Sequence, residues 1–160
     1  MVIDNSFGVV KMETRDSYTY SMLKYVHDAA TGEFVNVGVA LYCQKKNYFN
    51  VILRTTVGRV AGLFPDVRAD AFMVLMEGLS KRFKDLNEAY SSPIGFCGRR
   101  DNLEEILKSV TPKDDSAIVW SKASFGLTDH PQKTLEKLYS RYVSKHDRPC
   151  PAEEKNQHAH

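Results

Sequence analysis

Glu33 and Asn36 are the residues whose types and spacing most invite chemistry. They sit in the apolar run Gly32-Glu33-Phe34-Val35-Asn36-Val37-Gly38-Val39-Ala40-Leu41. A carboxylate and an amide in such a run can contact a ligand or partner, or can tie the strand to its own fold. Water is scarce around Asn36, and a buried amide without partners costs roughly 1–3 kcal/mol. A neighbouring loop or the long helix expected over residues 67–88 is its anticipated structural partner. Glu33, at the strand entrance, is placed to pair with Arg54 or Arg59. Buried polar networks more often specify packing than chemistry, so the structural reading of both residues is favoured. Gly38 asks for a close approach over the strand, by the protein's own helix or by a partner.

Other candidates are thinner. Gly95-Phe96-Cys97-Gly98-Arg99-Arg100 offers glycines, exposed amides and two arginines, a composition that can hold an anion. A surface turn with solvated arginines explains it as well. Cys97 and His130 would form a nucleophile and base only if the fold joined them. Arg54, Arg59, Arg99 and Arg100 would serve a nucleic acid or nucleotide only if they shared one surface. None of the five histidines pair at helical spacing, and no phosphate loop, zinc-protease or calcium-loop pattern occurs. No metal ligands and no cofactor are expected.

Composition sets broad limits. The 160 residues suffice for one domain with a core, and 42% hydrophobic with 26% charged residues is ordinary for a globular chain. A net charge of +2, with both signs interspersed, gives no case for nucleic acid by itself. Three scattered cysteines argue against a disulfide framework. No run is long and apolar enough for a membrane span, and the start does not read as a signal peptide, so a cytoplasmic location is expected.

The elements that must position these residues follow from periodicity. Residues 17–27 alternate as a strand, with Tyr18, Tyr20, Met22 and Val26 on one face and Thr19, Ser21, Leu23 and Tyr25 on the other. A turn at residues 28–32 leads into the opening stretch, whose Val35, Val37, Val39 and Leu41 are expected to share the core face. Phe34, Asn36, Gly38, Ala40 and Tyr42 would take the other. Residues 44–47 make a hairpin connection to a third strand over residues 48–54, giving an antiparallel meander. Val57, Val60, Ala61 and Phe64 then mark a short helix that Pro65 ends, with Asp66 available to cap the next. Phe72, Leu75, Met76, Leu79, Phe83 and Leu86 predict a long amphipathic helix over residues 67–88. Gly78 inside it suggests close packing against the sheet. Asp101 and Glu104 have capping-box spacing before a short helix that Pro112 closes. A fourth strand is expected over residues 117–125. Thr128-Asp129-His130-Pro131 starts a last helix that carries Leu135, Leu138, Tyr139, Tyr142 and Val143. The sum is one α+β domain over residues 17–145, with a sheet of about four strands and three to four helices. Residues 1–16 read as an arm and residues 146–160 as a disordered tail.

Four of these segments resemble the bacterial "domain of unknown function 3037" family. They are Tyr20-Ser21-Met22-Leu23-Lys24-Tyr25-Val26, Gly32 to Val39, the pairs Arg59-Val60 and Phe64-Pro65, and the closing set Leu135, Leu138-Tyr139 and Tyr142-Val143. The resemblance carries over no catalytic residue. It implies a small cytoplasmic bacterial protein, often encoded beside a HipA-like kinase, and hence a partner or regulator of such a kinase in a toxin–antitoxin or defence-type pair. The leading expectation is therefore a non-enzymatic interaction module. It would bind through the sheet face holding Tyr18, Tyr20, Phe34 and Tyr42, or through an exposed edge strand. A nucleic-acid binder using the four arginines, and an enzyme with Glu33, Asn36 or Cys97 in a pocket, stand as alternatives. Oligomeric state is left open.

Overall fold

The computed structural model describes residues 15–90, 102–113 and 117–147. The α+β expectation holds. Strands β1 (Asp16–Asp28), β2 (Glu33–Cys43) and β3 (Tyr48–Leu53) form the meander. Helices α1 (Gly58–Leu63), α2 (Ala69–Tyr90) and α3 (Leu103–Val110) follow, then β4 (Ile118–Trp120), β5 (Ser124–Thr128) and α4 (Pro131–Tyr139). One π-helical turn, Ser140–Ser144, prolongs α4. The sheet order is β3-β2-β1-β4, all antiparallel, and β5 also pairs with β1.

The single fourth strand expected from sequence is divided in two. β4 pairs with Leu23–Tyr25 and β5 with Asp16–Tyr20. Three residues, 121–123, stand opposite Ser21 and Met22 and interrupt the pairing by one extra residue. The Ser121 side chain repairs the ladder there: its Oγ accepts from the Met22 amide at 2.9 Å. Ser21 Oγ in turn donates to the Ser121 carbonyl at 2.6 Å.

Two hydrophobic layers result, one on each face of the sheet. On the first, Leu23, Val37, Ala40, Tyr42, Phe49 and Leu53 pack beneath Phe72, Met76, Leu79 and Phe83 of α2, and beneath Leu103, Ile106 and Leu107 of α3. On the second, Met22, Val39, Leu41 and Cys43 meet Leu135 and Val143. Burial pushes the Cys43 thiol above its ordinary value, which suits an inert core residue. At the end of β1, His27 stacks on Phe64 with centroids 4.4 Å apart and ties the α1–α2 corner to the sheet through Asp66 at 2.8 Å.

Several local expectations need correction. Asp66 does not cap α2; its carboxylate goes to His27, and the helix starts later, at Ala69. The cap of α3 is Asn102, one residue beyond the expected Asp101, and it accepts from the Glu105 amide at 2.9 Å. His130 caps α4, its Nδ1 accepting from Lys133 N at 3.3 Å, with Pro131 in the first helical position. Gly78 does not pack against the sheet: it is exposed, and a Cβ built there meets nothing within 4 Å.

A helix-interior glycine with open space around it is a pure conformational cost. We expect Gly78→Ala to stabilise the protein by about 0.5–1 kcal/mol in urea unfolding. A loss of stability instead would show that position 78 is packed.

Candidate binding face

The site is shaped by an irregularity in β2. Leu23 pairs with Gly38 but Lys24 pairs with Asn36, so Val37 is an extra residue. Such a bulge reverses the alternation of the strand. Val35 and Val37 therefore face the α2 layer, whereas Val39 and Leu41 face α4. The expectation that all four share one face is overturned, and Tyr42 lies buried under the α2 layer. Gly38 is explained within the fold. A Cβ there would lie 2.5 Å from Leu53 Cδ2 and 3.2 Å from the Ile52 carbonyl oxygen. The close approach comes from the neighbouring strand β3, not from a helix or a partner.

Asn36 emerges on the opposite face and so reaches the end of the last helix, not the long helix α2 anticipated from sequence. Its Nδ2 donates to the Tyr142 carbonyl at 3.3 Å. Arg54, just beyond β3, makes the adjoining contact. It is only 2% exposed, and its Nη2 donates to the Val143 carbonyl at 2.7 Å. The same guanidinium grips the Asp147 carboxylate through both terminal nitrogens, at 2.8 and 3.1 Å. Its backbone amide meanwhile donates to the Val37 carbonyl of the bulge at 2.7 Å. Arg59 Nη1 lies 3.5 Å from the His146 carbonyl.

The physical need behind this cluster is general. The last four carbonyls of a helix have no partners within it and carry its negative dipole end. Here an amide and a cation from the sheet supply donors to Tyr142 and Val143. Burial pushes the Tyr139 phenol up; the nearby Arg54 cation opposes this and Asp147 reinforces it. The match is incomplete: Asn36 Oδ1 and Arg54 Nε are buried without a hydrogen-bond partner among the described residues.

Helix α4 and its π turn cover the β2–β3 half of this second face. Over the β1 half the cover is partial. Tyr18 and Tyr20 lie side by side, ring centroids 5.9 Å apart, both half-buried. Tyr18 lies across Gly126, where a Cβ would come within 2.5 Å of its ring. Lys24, further along the face, sits 4.4 Å above the Phe34 ring. Phe34 and Val119 are each 48% exposed, and Tyr142 is 37% exposed at the border of α4. The Arg141 guanidinium lies 5.4 Å from the Tyr142 ring centroid. Burial, reinforced by Tyr20 and Tyr142, pushes the Tyr18 phenol above its ordinary value, so it is a protonated hydrogen-bond donor at neutral pH. Aromatic rings edged by cations suit an apolar surface bearing carbonyls or carboxylates.

The residues singled out from sequence divide accordingly. Asn36, Arg54 and Arg59 converge on the end of the last helix. Gly38 serves strand packing. Glu33 is exposed and has no ion pair among the described residues; Arg54, its anticipated partner, is taken by Asp147. Arg99, Arg100 and Cys97 lie outside the described residues, as do residues 1–14 and most of the C-terminal segment. His130 spends its Nδ1 on the α4 cap. Among the described residues no group of histidine, cysteine and carboxylate side chains could hold a metal ion, and no helix is long and apolar enough to cross a membrane. Sequence reasoning missed Lys24, Val119 and Asp147. Lys24 was findable from the alternation of Tyr18, Tyr20 and Met22 along β1, but Val119, opposite Lys24 on β4, and Asp147 have no local signal.

Removing one member of a buried ion pair leaves the other charge uncompensated, at a cost of about 3–5 kcal/mol. Asp147 is partly exposed, so we expect Asp147→Ala to destabilise by less than this, roughly 2–3 kcal/mol. Arg54→Ala, which also strands the Val143 carbonyl, should cost more. Urea unfolding of both variants measures this; near-neutral effects would show that the latch contributes nothing.

The model of a family described as "Protein of unknown function (DUF3037)" matches residues 20–143. No curated protein and no solved structure matches the chain. The match begins at Tyr20 within β1 and ends at Val143 in the π turn, leaving Tyr18 and Asp147 outside it. The chain therefore belongs to the DUF3037 family.

Proposed function

We propose that this protein is a non-enzymatic interaction module that binds a protein partner through the open half of its second sheet face. The observation that carries the reading is that the second face stays open along β1 while α4 covers its other half: Tyr142 stands exposed near the half-buried Tyr18–Tyr20 pair, and Phe34 and Val119 are exposed further along the strand, beside Val26 and Lys24. Exposed aromatic residues grouped on a rigid sheet are the usual anchors of protein interfaces. Tyr42, which faces the opposite layer, has no part in it. The family resemblance suggests the first partner to test, a HipA-like kinase, within a toxin–antitoxin or defence-type pair in the bacterial cytoplasm.

Both cations of the face lie over aromatic rings, Lys24 over Phe34 and Arg141 over Tyr142. A partner surface with apolar residues flanked by carboxylates complements this arrangement. Neutral aromatic contacts would dominate affinity, and the cations would set orientation and association rate.

The test is calorimetric titration of the purified chain with a purified HipA-like kinase from the same organism. Phe34→Glu and Val119→Lys change exposed side chains and should leave the fold intact by circular dichroism. Each should weaken binding by about tenfold or more. Unchanged affinity in both would remove this face, and absence of binding by the wild-type chain would remove this partner.

A further inference from the structure

At the end of the last helix the sequence pattern and the structure part. Leu135, Leu138, Tyr139, Tyr142 and Val143 are spaced as one α-helical stripe. In a regular α-helix, at about 100° per residue, Tyr142 would lie about 20° from Leu135 around the axis and Val143 about 80°. Tyr142 would then be the centre of the buried stripe and Val143 its margin. The structure has the reverse. Val143 is 5% exposed and belongs to the layer of Leu135, whereas Tyr142 is 37% exposed and lies outside that layer. The π turn Ser140–Ser144 accounts for the exchange. Its wider hydrogen bonding fits one extra residue into the turn, so each residue lags behind its α position. The lag brings Val143 to the middle of the stripe and turns Tyr142 out to the border of the open half-face.

We infer that the end of α4 has two registers, π and α, and that the Arg54–Asp147 pair selects the π register and so sets Tyr142 at the open face. Each register satisfies something that the other gives up. The α register keeps regular helix hydrogen bonds. The π register delivers the Val143 carbonyl to Arg54 Nη2 at 2.7 Å, and brings the Asp147 carboxylate to the same nitrogen at 2.8 Å. Past the turn, the α register would rotate the chain by about 100°, the step of one residue, and carry Asp147 off the guanidinium. Arg54 is 2% exposed, and a buried cation without its anion is costly. Asn36 adds one neutral bond to the Tyr142 carbonyl, long at 3.3 Å, which supports the π register without deciding it. Asp147 is thus a positioning residue for Tyr142.

The consequence for binding rests on the proposed function. A partner that contacts Tyr142 favours the π register, and with it the Arg54–Asp147 pair; by linkage the pair favours the partner to the same extent. The registers themselves belong to the free chain and are tested there, so a failure to bind the proposed partner is a separate result.

Nuclear Overhauser contacts in the free full chain read the register. In the wild type the Val143 methyls should contact Val39, Leu41 or Leu135, and the Tyr142 ring should not. Asp147→Asn keeps the size of the side chain and removes its charge. It should exchange the two patterns, Val143 losing those contacts and Tyr142 gaining them. Deletion of Ser140, an exposed residue, supplies the second variant. It moves Val143 to the α position that Tyr142 holds in the wild-type chain, so a plain α-helix then buries Val143. The deleted chain should fold by circular dichroism and keep the Val143 contacts, and adding Asp147→Asn to it should no longer change them. Wild-type contacts in Asp147→Asn alone would overturn the inference. So would a deleted chain that unfolds or loses the Val143 contacts.

Discussion

The carbonyls at the end of the last helix must find donors, and one buried guanidinium must find an anion. Arg54 meets both demands at once. It binds the Val143 carbonyl and the Asp147 carboxylate, while its own backbone amide holds the bulge of β2. Asn36 adds the Tyr142 carbonyl. The other polar ties of α4 to the sheet, from Tyr48 and Asn50 to Gln132, lie at its first turn, so without this cluster the far end would rest on apolar contacts, which are not directional. With it, the helix end is fixed in register over β2. Buried polar contacts of this kind serve uniqueness of packing more than gross stability.

That fixed position decides what stays open. α4 lies over β2 and β3, so the tyrosine side of β1 is covered only at its border, where Tyr142 stands. The bulge at Val37 contributes as well. By reversing the strand it turns Asn36 toward the helix and supplies Val39 and Leu41 to the layer beneath it. A strand without the extra residue would place either the valines or the asparagine on the wrong face. Sheet irregularity, helix latch and open aromatic half-face are thus three consequences of one local arrangement.

Much of the fold was legible in the chain. The meander, the Phe72-Met76-Leu79-Phe83 stripe and the proline-led last helix follow from period and from turn residues. So did the division of β1 into its two faces. What could not be read was the bulge, because an extra residue leaves no mark on a run of valines. That omission moved Tyr42 to the wrong face and left Gly38 without its true neighbour, Leu53. The pairing of Arg54 was equally hidden: Glu33 and Asp147 are both plausible carboxylates in sequence, and only the packing of the last helix chooses between them. The segments that carry the family resemblance prove to be joined in space. Asn36 and Arg59 both reach the end of the helix bearing Tyr142 and Val143, and Phe64 holds His27 at the end of β1.

The central claim is that Asn36 acts inward, as part of the latch, and that binding belongs to the aromatic half-face beside it. Asn36→Ala, followed by both unfolding free energy and affinity for the proposed kinase partner, tests this most directly. The account predicts a stability loss of about 1 kcal/mol with affinity unchanged among folded molecules. Full stability with affinity lost would contradict it, and would make Asn36 a contact residue.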